Sequence, residues 1–172
     1  MRDGMVLSIR RIMESKLKEA IELRKSGNPE VALELILELL KSAPNNPDYN
    51  YQAAWTCDSM GKESEAVPFY ESALSNGLKE DRAGAYLGLG STYRCLGNYQ
   101  DSERVFAKAI EEFPDNKALK VFSALTKYNL KKYTDSVFDL LILLLDTTND
   151  SGIKSYEKAL RFYADKLDQT WN

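Results

Sequence analysis

Apolar residues recur along the chain three and four positions apart, and no segment alternates with the period of two that marks a strand. Tyr86, Leu89, Tyr93 and Leu96 set out one such helical face, and a second helix is expected from Gln100 to Glu112. Gly27, Gly61 and Gly97 fall where a helix end calls for a residue of positive φ. Pro44 and Pro114, followed by Asn45 and Asp115, stop one helix and open the next. The expected class is all-α.

The pattern repeats. A small residue is followed four positions later by a bulky one at Ala32 and Ile36, Ala66 and Tyr70, Ser102 and Phe106, and Ser136 and Leu140. The small residues are 34, 36 and 34 positions apart. This sets out about four helix–turn–helix units at 13–46, 47–82, 83–116 and 117–149. One such hairpin cannot bury its own apolar face, so neighbours must stack to make a core. The glycine-rich stretch AYLGLGSTYRCLGNY (85–99) fits this reading better than a phosphate-binding loop. Gly88, Gly90 and Gly97 have the wrong spacing for a dinucleotide fingerprint, no strand precedes them, and no GK[ST] ending follows. Mid-helix glycine costs about 1 kcal/mol against alanine, so a neighbouring helix is expected to approach closely there.

Both ends carry surplus apolar surface. Leu140 to Leu145 are six apolar residues in succession, and a helix apolar all round must be covered all round. Residues 150–172 offer a cover, with Ile153, Tyr156, Leu160, Tyr163 and Leu167 at helical spacing behind an Asp150-Ser151 N-cap. One capping helix is expected, completing a domain whose repeats occupy 1–149. Helix 31–40 is also apolar round much of its girth. Met5–Met13 folding back would cover it, and the alternative is a second subunit in a homodimer.

Composition narrows the chemistry. The 172 residues include 23 Lys plus Arg, 26 Asp plus Glu and no histidine, for a net charge of −3. The commonest general base and zinc ligand are therefore missing. Glutamate pairs such as Glu63 with Glu65 and Glu111 with Glu112 read as solvated helix faces. No converging acid, base or nucleophile set is evident, so no enzyme activity, cofactor or metal is expected. With an acidic balance and no basic stripe, nucleic acid is not an expected partner. Cys57 and Cys95 form no CxxC pair and are expected to be buried, reduced thiols. No secretory leader or membrane span is read, and the expected location is cytoplasmic.

Tyr86-x-x-Leu89-Gly90-x-x-Tyr93, then Ser102-x-x-x-Phe106 and Pro114, resembles the tetratricopeptide repeat, W-x-x-L-G-x-x-Y…A-x-x-x-F…P. Residues 51–97 are similar to a short bacterial subfamily of such proteins. Asn50 stands at the large aromatic position of the second unit, which also carries two extra residues near GLKED. The resemblance implies a right-handed superhelical solenoid whose first helices line a concave groove. It implies a non-catalytic module binding a peptide or protein there, with a self-associating structural subunit as the alternative. By the family's register, Glu14, Leu17, Ile21, Arg24 and Lys25 face the groove from the first unit. Asp48, Tyr51, Trp55, Asp58 and Ser59 follow from the second, Gly84, Leu87, Ser91, Arg94 and Cys95 from the third, and Ala118, Val121, Leu125, Tyr128 and Asn129 from the fourth. Tyr51 and Trp55 share a helical face, and Arg94 is expected beside them, although Trp55 fits either groove or core. The family's carboxylate clamp is absent, since Leu17, Ile21, Gln52, Gly84 and Gly88 occupy its positions.

Overall fold

The computed structural model describes the backbone of residues 2–171 and the side chains of residues 10–171. Ten helices follow in order among these residues: α1 (Arg2–Lys25), α2 (Pro29–Ser42), α3 (Pro47–Ser59), α4 (Glu63–Ser75), α5 (Arg82–Cys95), α6 (Tyr99–Glu112), α7 (Lys117–Asn129), α8 (Tyr133–Thr147), α9 (Ser151–Ser155) and α10 (Glu157–Tyr163). No strand occurs among them, and none of these helices is long and apolar enough to cross a membrane. They form two compact units, Met1–Leu96 and Gly97–Asn172.

The helix ends follow from local chemistry. Asn46 and Asn116 cap α3 and α7, their side chains accepting from the backbone N–H of Tyr49 at 3.0 Å and Leu119 at 3.2 Å. Pro47 opens α3, where its missing N–H has no cost. At the end of α1, Gly27 adopts φ +86, its N–H bonding Arg24 O while that of Asn28 reaches back to Leu23 O. These two bonds satisfy carbonyls the helix leaves open. Gly61 and Gly97 also adopt positive φ. The same turn ends α7, but Lys131 takes the glycine's place at φ +63.

In the first unit α1 packs on α2, α2 on α3, α3 on α4 and α4 on α5. The small residues of the repeat let the helices close: Ala32 and Ala66 are fully buried, with Ile36 and Tyr70 buried beside them. Burying Ile36 alone is worth about 1.5–3 kcal/mol. The segment Met5–Met13 is not a separate fold-back but part of α1; the side chains of residues 5–9 lie outside those described, and Met13 and Leu17 pack against the core around Ile36, Leu39 and Ala53.

In the second unit α7 packs between α6 and α8. Phe106 is fully buried, and Ser102 and Thr126 share a buried hydrogen bond of 2.8 Å. The expected single capping helix is instead two short ones. Asp150 caps the first as anticipated, accepting from Ile153 N at 2.9 Å. The chain then turns at Tyr156, where the Ser155 hydroxyl bonds Gly152 O and tightens the last turn. α10 packs on α8, and Arg161 pairs with Asp146 at 2.7 Å. It ends at Tyr163, leaving Leu167 beyond it and exposed. Such a short helix covers the apolar run of α8 in part: Leu145 is buried, Leu140–Leu143 are half-buried, and Val137, Phe138 and Leu144 are exposed.

Candidate functional site

The first helices of the hairpins in the first unit, α1, α3 and α5, bound two cavities of about 720 and 490 Å³. Leu17 and Ile21 of α1 line the first, together with Asp48, Tyr51 and Trp55 of α3. Asp58 and Ser59 of α3 line the second with Leu87 and Ser91 of α5. Tyr51, Trp55 and Asp81 line both. Helical spacing explains the selection: Tyr51, Trp55 and Asp58 lie four and three apart on one stripe of α3, while Ala53, Ala54 and Cys57 fill the core on another.

Trp55 faces this surface and not the core, being 45 % exposed. Its indole is held by two neighbours. The guanidinium carbon of Arg24 lies 4.2 Å from the ring centroid, a cation–π distance, and the Tyr51 ring is 5.9 Å away. Arg24 is fixed in turn, its Nη1 donating to Gln52 O at 3.3 Å and Thr56 Oγ1 at 3.2 Å. Burial lowers its pKa and the adjacent Tyr51 and Tyr70 oppose the shift, yet a guanidinium stays charged. The arginine beside the aromatic pair is thus Arg24. Arg94, expected there, is half-buried on α5 and lines neither cavity. The register had put Arg24 on this face, but its contact with Trp55 depends on α1 packing against α3, which no local pattern records.

Tyr51 is only 6 % exposed and forms a wall instead of a projecting anchor. Its hydroxyl donates to Asp81 Oδ2. Burial raises its pKa, and Asp81 adds to the rise. Asp58 is half-buried and accepts from Tyr70 Oη at 2.7 Å and from Thr92 Oγ1 at 3.0 Å. Burial raises the Asp58 pKa, and these two hydrogen bonds pull it back. Gln52 Oε1 and Ser91 Oγ are buried with no hydrogen-bond partner among the described residues.

No motif in the sequence marks Asp81. It stands in the stretch whose two extra residues break the 34-residue register, and that irregularity was the available signal. It occupies the N-cap position of α5 at φ +50 without making a capping hydrogen bond.

In the second unit Val121, Leu125 and Tyr128 are exposed on one face of α7, and Tyr128 meets Tyr133 edge-on at 5.1 Å. Both cysteines are free, but only Cys57 is buried. Cys95, expected to be buried, is exposed at the C-terminal end of α5.

The fold is similar to that of several solved structures. MamA residues 41–end from Desulfovibrio magneticus RS-1 superposes with a TM-score of 0.66 at 16% identity, over 88% of each chain. TTC0263, a thermophilic TPR protein of Thermus thermophilus, gives 0.63 at 20% identity, over 91% of this chain and 84% of the other. Pseudomonas aeruginosa pilF gives 0.62 at 13% identity, over 95% and 79%. No curated protein matches the sequence. The tetratrico peptide repeat family matches residues 47–167, most of the chain and all but the first hairpin of the repeat array, and the protein belongs to that family.

Proposed function

We propose that this protein is a non-catalytic interaction module that holds a segment of a partner protein against the α1–α3–α5 face. Repeats of this family generally mediate protein–protein interaction. The observation that carries the reading is Trp55, a large aromatic half out of the core between two cavities, clamped by Arg24 and Tyr51. A side chain ordered before binding loses little rotamer entropy on binding, and tryptophan, tyrosine and arginine are the commonest hot-spot residues. Leu87, Ser91 and Asp58 extend the surface along the second cavity. In the second unit, Val121, Leu125 and Tyr128 are proposed as further contacts.

The test is affinity capture from host lysate with wild type and with Trp55→Ala, after circular dichroism shows equal helix content. A protein retained by wild type and lost by the variant is expected. Truncating a central anchor costs about 2–4 kcal/mol. Identical capture by both proteins overturns the reading.

The exposed Val137, Phe138 and Leu144 on α8 favour a second reading, self-association. Light scattering over a concentration series decides it, and a monomer mass at high micromolar concentration removes it.

A further inference from the structure

Resting on the reading above, we infer that the segment bound by the first unit is basic: a stretch of partner chain that sets an apolar side chain against Trp55 and a lysine or arginine on Asp81. The charges lining the two cavities are strongly one-sided. Glu14, Asp48, Glu80 and Asp81 line the first, and Asp58 and Asp81 the second. Among the described residues, the first has one cationic side chain, Arg10, which is paired with Glu14 at 2.9 Å, and the second has none. Arg24, close by, is committed to the Trp55 ring, Gln52 O and Thr56. Asp48, Glu80 and Asp81 are exposed, so their charge faces whatever enters.

Asp81 carries the argument furthest. An aspartate at an N-cap ordinarily accepts a backbone N–H of the first helical turn. This one does not, and it adopts the left-handed conformation, which aspartate tolerates better than most side-chain-bearing residues. Its carboxylate instead accepts the Tyr51 hydroxyl. It fills the space beside Gly84, where a Cβ would come 2.6 Å from Asp81 Cγ. A glycine at 84, a forgone cap and a left-handed backbone together set one carboxylate on the wall common to both cavities. One hydroxyl donor leaves acceptor sites on that carboxylate for a cation.

The test uses the full chain and three fluorescein-labelled ten-residue peptides of equal leucine content, in which lysine, glutamine or glutamate alternates with leucine. Fluorescence anisotropy is read from low to physiological salt. The lysine peptide is expected to bind at least about tenfold tighter than the glutamate peptide, and to weaken with salt. Asp81→Asn, which keeps an acceptor for Tyr51, with Glu80→Gln should lose about tenfold for the lysine peptide. The equal charge change Glu111→Gln with Asp135→Asn, on exposed residues of the second unit, should leave it unchanged. Trp55→Ala should weaken it as well. If the glutamate or glutamine peptide binds as tightly, if none of the three binds, or if the two double variants behave alike, the basic class is overturned. Trp55-dependent capture of a partner is scored separately, so the binding-module reading stands or falls on its own. Capture of a second copy of this chain by the Asp81 surface overturns the proposal too.

Discussion

The ring of Tyr70 occupies the space that a side chain on Gly88 would need. A Cβ on Gly88 would come 2.7 Å from Tyr70 Cε1 and closer still to Cζ and Oη. Tyr70 cannot swing aside readily, being buried with its hydroxyl donated to Asp58. Mid-helix Gly→Ala ordinarily gains about 1 kcal/mol, while overpacking a filled site costs about 1–3 kcal/mol. Gly88→Ala should therefore lower stability in urea unfolding. A double-mutant cycle with Tyr70→Ala should show coupling, because the truncated partner no longer collides. A more stable Gly88→Ala protein would sink this account of the glycine.

The turn after α7 makes the opposite prediction. Lys131 is held at φ +63 in a turn where the three preceding repeats use glycine. The left-handed conformation costs a side-chain-bearing residue about 1 kcal/mol or more, and Lys131 is exposed. Lys131→Gly should raise stability by about 1 kcal/mol in thermal or urea unfolding, and Gly27→Ala should lower it by a similar amount. Equal and opposite signs in the two variants are the informative result. Destabilisation by Lys131→Gly would mean that the lysine side chain holds the turn.

These two positions also show what a sequence reveals and what it hides. Gly27, Gly61 and Gly97 were legible because the demand for positive φ is local and glycine meets it almost alone. The small–bulky pairs from Ala32–Ile36 to Ser102–Phe106 were legible because burial imposes helical spacing. Lys131 breaks the chemical pattern while keeping the backbone one, so nothing local marked it. Arg24 over Trp55 and Tyr51 on Asp81 join residues 31 and 30 positions apart through packed helices, and periodicity does not encode which side chains meet across such distances. The break at Tyr156 is invisible to periodicity because the helical spacing continues through it.

The two thiols should differ sharply. Burial pushes the Cys57 thiol up to about 11, and the charge of Glu65 adds to the rise. Cys57 is wholly inside the core, whereas Cys95 is exposed. Thiolate is the reactive form, so a disulfide reagent at pH 8 should label one thiol per chain quickly and the second only in denaturant. Cys95→Ser should remove the fast phase entirely. Two fast thiols in the native protein would contradict the burial of Cys57.

Stability should fall in alkali more steeply than an average domain's, and Tyr70 is the reason. Burial pushes its phenol well above the usual range near 10, and Asp58 raises it further by charge and by accepting its proton in a hydrogen bond. Tyr51 is raised for similar reasons by burial and Asp81. Above about pH 10 the unfolded chain gives up these protons while the folded chain keeps them. Stability then decreases as pH rises, by about 1.4 kcal/mol per unit for each such group. Below that pH the contribution is fully present. Urea unfolding of wild type and Tyr70→Phe at pH 9, 10 and 11 separates this from lysine deprotonation, which both proteins share. The variant starts lower, having lost the bond to Asp58, and its stability should decline less steeply by about one group's worth. Parallel declines would mean that Tyr70 ionises as readily in the fold as out of it, which its place against Gly88 and Asp58 does not allow.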